Sequence, residues 1–179
     1  FTTGNMAEIE TLFETKWLSV CRNGRWDYVR RPQSTSSVSV LAITPANEIV
    51  LVEQFRIPVQ RRVIEMPAGI TGDEADFIGE SLAETAAREL MEETGYRAGK
   101  MEFLVRSPST PGLAEEFMNI FYATDLVRET DGGGTEHEEI VIHHVPVAGI
   151  RSWVAARQAG GIEIDTRLHA ALWLAGISG

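Results

Sequence analysis

The chain has 179 residues, one domain's length with room for a small appendage, and its 44% hydrophobic and 23% charged residues exclude a disordered tail, a collagen or a coiled coil. Sixteen Lys and Arg against 26 Asp and Glu leave a net charge of −10, a field that repels phosphate backbones, so no nucleic-acid partner is expected. No apolar run approaches the ~18 residues of a membrane span, so no membrane partner is expected either, and the single cysteine, Cys21, cannot form an internal disulfide.

Phe1–Met6 lacks the basic and apolar segments of a secretory signal, which points to the cytoplasm and leaves residues 1–5 outside the fold argument. Lys16–Val20 and Trp26–Val29 read as two short strands about Asn23-Gly24, a strong hairpin signal. The polar stretch Arg31–Ser37, with Pro32 inside it, reads as a linker. The chain therefore divides into residues 1–36, a β-hairpin and linker, and residues 37–179, the main domain. Two strands alone are unstable in water, so the hairpin must dock on the main domain or on a second subunit.

Short β-branched runs predict strands at Val38–Thr44, Ile49–Phe55 and Arg62–Met66, then a helix over Ser81–Thr94. Further strands are expected at Met101–Arg106, Asn119–Leu126 and Glu139–Val145. Two helices close the chain, Ala148–Gln158 and Thr166–Ala175, the second capped by Asp165. This order predicts an α+β domain, a mixed sheet flanked by helices.

The internal helix carries the chemistry. Ser81 and Glu84 form a capping box, and Gly95 ends the helix. Ala83, Ala86, Ala87 and Leu90, with Met91 at the edge, make the expected buried stripe. Glu89, Glu92 and Glu93 share the other face, where they repel one another by ~0.2–0.5 kcal/mol per pair and oppose the helix dipole. Taken alone, three such glutamates are a solvated face. A hard divalent cation would also account for them, since Mg2+ takes carboxylate oxygens and keeps positions for water and phosphates.

Glu80, then seven residues, Arg88-Glu89-Leu90, one residue, Glu92-Glu93, one residue, and Gly95-Tyr96 resembles the Nudix box of the Nudix hydrolases. One spacing departs from it: ten residues separate Gly69 from Glu80 where the box has five, an insertion within Thr71–Phe77. The resemblance implies that Glu89 and Glu93 are metal ligands, that Glu92 assists them, and that Arg88 orients a glutamate through an ion pair. It extends to Gln54–Pro58, Ile64–Gly69 and Thr110–Glu116, which are similar to motifs of the ADP-ribose pyrophosphatase and nucleoside-diphosphate-sugar branch. That likeness implies the Ala68 carbonyl as a further metal ligand and Arg56 on the substrate diphosphate. It also implies Glu65 and Glu116 as substrate-binding residues, the latter on a ribose with Glu115 beside it. A homodimer that exchanges its N-terminal strands belongs to the same branch.

The late loop Asp131–Ile140 carries three glycines that let a segment close over substrate. Its likeness to the family's catalytic loop implies Glu136 as the base and Glu138 as a metal ligand, with Glu139 as the competing assignment. His143 and His144 are adjacent on a strand, face opposite ways and read as structural. The resemblance as a whole implies a Nudix-type α/β/α sandwich and hydrolysis dependent on Mg2+, with Mn2+ as a substitute. The expected substrate is a nucleotide sugar: ADP-ribose, giving AMP and ribose 5-phosphate, with GDP-mannose as the alternative. A regulator that binds ADP-ribose without chemistry is the second alternative.

Overall fold

The computed structural model describes residues 8–34, 36–72, 79–134 and 139–178. The N-terminal sheet has three antiparallel strands, β1 (Glu10–Glu14), β2 (Ser19–Asn23) and β3 (Trp26–Arg30), in that order. The hairpin turns at Gly24, but β2 starts three residues after the expected Lys16. The strand β1 is an addition that sequence patterning could not signal, because all five of its side chains are exposed. The sheet docks within the chain, on the Thr110–Glu116 loop: Val29 N–H donates to the Leu113 carbonyl at 2.8 Å and Glu115 N–H to the Val29 carbonyl at 2.9 Å.

The main sheet contains β4 (Ser36–Ile43), β5 (Glu48–Arg56), β6 (Arg61–Glu65), β7 (Ala68–Ile70), β8 (Tyr96–Pro108), β9 (Phe117–Arg128), β10 (Val141–Pro146) and β11 (Glu163–Ile164). Its order is β11-β6-β5-β4-β9-β8, with β10 on β5 and β7 on β4. The β4–β9 and β11–β6 pairs are parallel and the others antiparallel, so the sheet is mixed. The helices are α1 (Leu82–Thr94), α2 (Ile150–Ala159) and α3 (Thr166–Leu174).

Both faces of the central strands are buried, which requires a layer on each side. Leu41, Ile43, Ile49 and Leu51 pack with Ile150, Val154, Leu168 and Leu172 of α2 and α3. The alternate residues Val38, Val40, Ala42 and Val50 pack with Ala86 and Leu90 of α1. The result is the expected α/β/α sandwich with a separate N-terminal sheet. No helix among the described residues is long and apolar enough to cross a membrane.

The buried face of α1 differs from the expected stripe. Ala83 and Ala87 are exposed, whereas Thr85, Ala86, Leu90, Glu93 and Thr94 are buried. The helix is rotated so that Glu89 and Glu93 look into the domain toward β7. Alanine loses little by exposure, so a stripe rich in it does not fix a helix's rotation.

Candidate active site

Two turns of chain bring the acidic helix against β7. The capping box forms as expected, Ser81 N–H donating to Glu84 at 2.8 Å and Glu84 N–H to Ser81 Oγ at 3.3 Å. At the other end Gly95 takes φ +75, and a Cβ there would lie 2.2 Å from the Thr130 carbonyl oxygen. That closeness lets the late loop cap the helix: Gly133 N–H donates to the Glu93 carbonyl at 2.9 Å and Gly134 N–H to that of Glu92 at 3.0 Å. Gly95 and Gly132 serve close approach, a Cβ on Gly132 meeting the Thr94 carbonyl carbon at 2.4 Å, and they set the start of the late loop beside Glu93.

One guanidinium organises the outer carboxylates. Arg88 reaches Glu80 at 3.3 Å, Glu89 at 3.0 Å and Glu92 at 3.0 Å. Burial pulls its pKa down, but Glu89, Glu92 and Glu80 outweigh burial and hold it above the ordinary arginine value. Glu92 is exposed and stands outside the cleft described below. Glu93 is only 4% exposed, and the Ala68 N–H donates to its Oε2 at 3.1 Å. Glu89 lies over Gly69 so closely that a Cβ on that glycine would meet its Cδ at 2.0 Å. Ala68, Gly69, Glu89 and Glu93 are thus neighbours.

They border a cleft of about 400 Å³ that also contains Arg31, Arg56, Glu65, Glu116 and Arg167. Arg56 Nε and Nη2 donate to the buried Glu65 carboxylate at 2.8 and 2.7 Å, a bidentate pair. Arg31 donates to Glu116 at 3.2 Å from the linker, and Ser109 Oγ donates to the other oxygen of that carboxylate at 2.8 Å. Glu115 is exposed and does not line the cleft. Arg167 approaches Glu65 at 3.7 Å and is held by Asp165, whose Oδ1 accepts from the Arg167 backbone N–H at 2.8 Å.

Sequence reasoning missed Arg31 and Arg167. Both lie far in sequence from the acidic helix, and neither falls in a motif. The one available signal was Ile162-Glu163-Ile164 before Asp165, a short alternation that forms β11. That strand pairs with Val63–Ile64 of β6 and so delivers the first turn of α3 beside Glu65.

The histidines have structural partners. His143 Nε2 lies 2.8 Å from Glu53, with its ring edge-on to Trp153, and His144 Nε2 lies 2.9 Å from the Tyr96 hydroxyl. The expected base Glu136 and ligand Glu138 lie outside the described residues, as does His137; Glu139 is described and exposed. Among the described residues no three His, Cys, Asp or Glu side chains form a metal site. Glu89 and Glu93 beside the Ala68–Gly69 backbone nevertheless supply hard oxygen donors at one place, and they fit a divalent cation as part of a larger set.

A family model described as "NUDIX domain" matches residues 33–171. The chain belongs to the Nudix family. It is 38% identical over 115 residues to a methanol dehydrogenase activator of Bacillus methanolicus, covering 64% of this chain and 58% of that one. It is 40% identical over 92 residues to an ADP-ribose pyrophosphatase of Bacillus subtilis, covering 50% and 46%. The matched region spans about half the length of these relatives. A crystal structure described as an ADP compounds hydrolase superposes with a TM-score of 0.76 over 96% of this chain and 91% of its own, at 23% identity, which shows the fold.

Proposed function

We propose that this Nudix protein hydrolyses the diphosphate of a nucleoside diphosphate sugar, with ADP-ribose as the first candidate and AMP and ribose 5-phosphate as products. The supporting observation is the convergence of Arg56 and Glu65 with Ala68, Gly69 and Glu89 on one cleft, with Glu93 packed against Ala68. Arg56 offers a planar fork matched to a diphosphate, and Glu65 holds that fork in place. Glu116, tied to Arg31, faces the same space and suits a ribose hydroxyl. Glu89, Glu93 and the Ala68 carbonyl would hold Mg2+ or Mn2+, with Glu138 joining them.

A cation bound there supplies positive charge against the diphosphate and acidifies a nearby water. The chain's own groups do the rest. Arg88 fixes Glu89 by its ion pair and spreads its charge over Glu80 and Glu92. Glu136 takes the proton of the attacking water as the P–O–P bond breaks. The late loop begins against the Glu93 end of α1, which supports placing Glu136 near the reacting phosphorus.

We assign residues 1–36 to subunit contact in a cytoplasmic homodimer. Supporting this, the N-terminal segment exposes the large apolar side chains of Leu12, Phe13, Trp17 and Trp26, the kind of surface that marks an interaction site. The test is a panel of nucleotide sugars, ADP-ribose and GDP-mannose included, assayed with Mg2+ or Mn2+ for phosphatase-releasable phosphate. Turnover of ADP-ribose above the others is expected. Preference for GDP-mannose would reassign the substrate, and tight ADP-ribose binding without turnover would favour the regulator.

A further inference from the structure

A second depression adjoins the cleft. It is a groove of about 680 Å³ between α3 and the β8–β9 hairpin, and Glu116, Met118 and Arg167 line both spaces. The two therefore adjoin across a wall that carries a guanidinium. Building on the nucleotide-sugar reading, we propose that this groove is the subsite for the sugar-phosphate half of the substrate, and that Arg167 grips its phosphate.

The geometry of Arg167 supports this. Its Nε donates to Asp165 Oδ2 at 2.5 Å, and Nη2 pairs with the same carboxylate. The side chain is thereby fixed before any ligand arrives, which lowers the cost of binding. Its Nη1 faces Met118 Sδ at 3.9 Å, the only acceptor it meets among the described residues. A thioether is a weak acceptor, so a charged donor edge on the shared wall is left with a poor partner. A phosphate oxygen is the acceptor that edge suits best.

The groove beyond has the mixed character that a sugar ring needs. Ser107, Thr110 and Thr166 offer hydroxyls, while Ala170 and Trp173, the latter 79% exposed, offer apolar surface. Arg31 and Ile70 of the cleft also line a small hollow of about 50 Å³ with Trp17 and Pro32, where the indole offers a flat apolar surface to a base. The diphosphate then lies between Arg56 and Arg167, with its two halves pointing apart.

The protein is titrated with ribose 5-phosphate and, separately, with AMP in the presence of Mg2+, and ADP-ribose turnover is measured alongside. The variants are Arg167→Gln, Arg167→Lys and Ala170→Trp. Ala170 is exposed, so the tryptophan fills the groove without disturbing the core. Arg167→Gln should weaken ribose 5-phosphate binding about ten- to a hundredfold, as loss of a charge-assisted hydrogen bond does, and leave AMP binding nearly unchanged. Arg167→Lys should recover part of the loss, since it keeps the charge without the fork. Ala170→Trp should weaken ribose 5-phosphate and spare AMP, and in both Arg167→Gln and Ala170→Trp the KM for ADP-ribose should rise more than kcat falls.

Equal or greater weakening of AMP overturns the assignment of halves. Ribose 5-phosphate binding that is absent in wild type, or indifferent to Arg167→Gln and Ala170→Trp, overturns the subsite while ADP-ribose turnover leaves the enzyme reading intact. Failure to hydrolyse any nucleotide sugar instead removes that reading and this proposal with it.

Discussion

The β5–β6 ribbon carries two ion pairs of the same make. Arg56 with Glu65 and Arg62 with Glu53 each join the strands across nine residues of chain. Side-chain exposure is 41% and 5% in the first pair and 36% and 9% in the second. They sit on opposite faces, because Glu53 is cross-strand to Ile64 and Glu65 to Val52. One looks into the cleft, where Arg31 and Arg167 join it. The other is closed over by His143 of β10, itself packed on Trp153 of α2. Composition, spacing and burial do not separate them. What lies above each pair does.

The largest expected difference is catalytic. Arg56→Gln should lower kcat/KM for ADP-ribose by ~10²–10⁴-fold, the worth of two charge-assisted hydrogen bonds at about 1.5–3 kcal/mol each. Arg62→Gln should stay within about threefold of wild type, since it touches no part of the cleft. Steady-state kinetics on both variants decide it, and a comparable loss in Arg62→Gln would erase the distinction.

A second variant sharpens the cleft side without touching either pair. In Gly69→Ala the new Cβ meets the end of a flexible glutamate rather than backbone. Glu89 should therefore swing away while the fold stays intact. The divalent cation needed for half-maximal rate should rise about 10–100-fold, as when a group that orients ligands is lost, with Tm nearly unchanged. A large fall in Tm instead would make Gly69 a packing residue.

Legibility in the sequence followed the same division. Local signals were sound wherever one segment made its own structure: the Ser81–Glu84 box, the Gly95 terminus and the Gly24 turn all form. Features that depend on distant chain were hidden. The strand β1 shows no burial pattern, β7 is three residues with a central glycine, and β11 is two residues long. The strand β8 runs from Tyr96 to Pro108, well beyond Met101–Arg106, because β9 pairs along all of it. Motif residues Arg56, Glu65, Ala68, Glu89 and Glu116 were legible as a set that lines the cleft. Arg31 and Arg167 were not, since only the docking of the linker and of β11 brings them there.

The third test concerns the closed-over pair and reads stability. Removing one partner of a buried pair costs about 3–5 kcal/mol, but Arg62 is about a third exposed and water repays part of that. Glu53→Gln should therefore cost about 1–2 kcal/mol and lower Tm by roughly 2–8 °C in a chain of this size. Its kcat/KM should match wild type at a temperature where both are folded. Loss of activity without loss of Tm would place Glu53 in the site.

The smallest effect lies in how that Tm gap depends on pH. Burial pushes the Glu53 carboxyl upward, but hydrogen bonds from Arg62 and His143 outweigh burial and hold it below its ordinary value of 4.5. A carboxyl whose folded pKa is depressed binds fewer protons in the folded state than in the unfolded one between the two values. Its stabilisation is thus fully present above about pH 4.5 and drains away as pH falls through the depressed folded value. Glutamine cannot titrate, so Glu53→Gln lacks this component at every pH. The gap in Tm between wild type and variant should be flat from neutrality down to about pH 5, then narrow on further acidification. Melting both proteins side by side cancels the many carboxylates they share. A gap that widens in acid would mean that the protonated carboxyl, not the ion pair, is the stabilising form, and the ribbon's two pairs would differ in charge state as well as in what covers them.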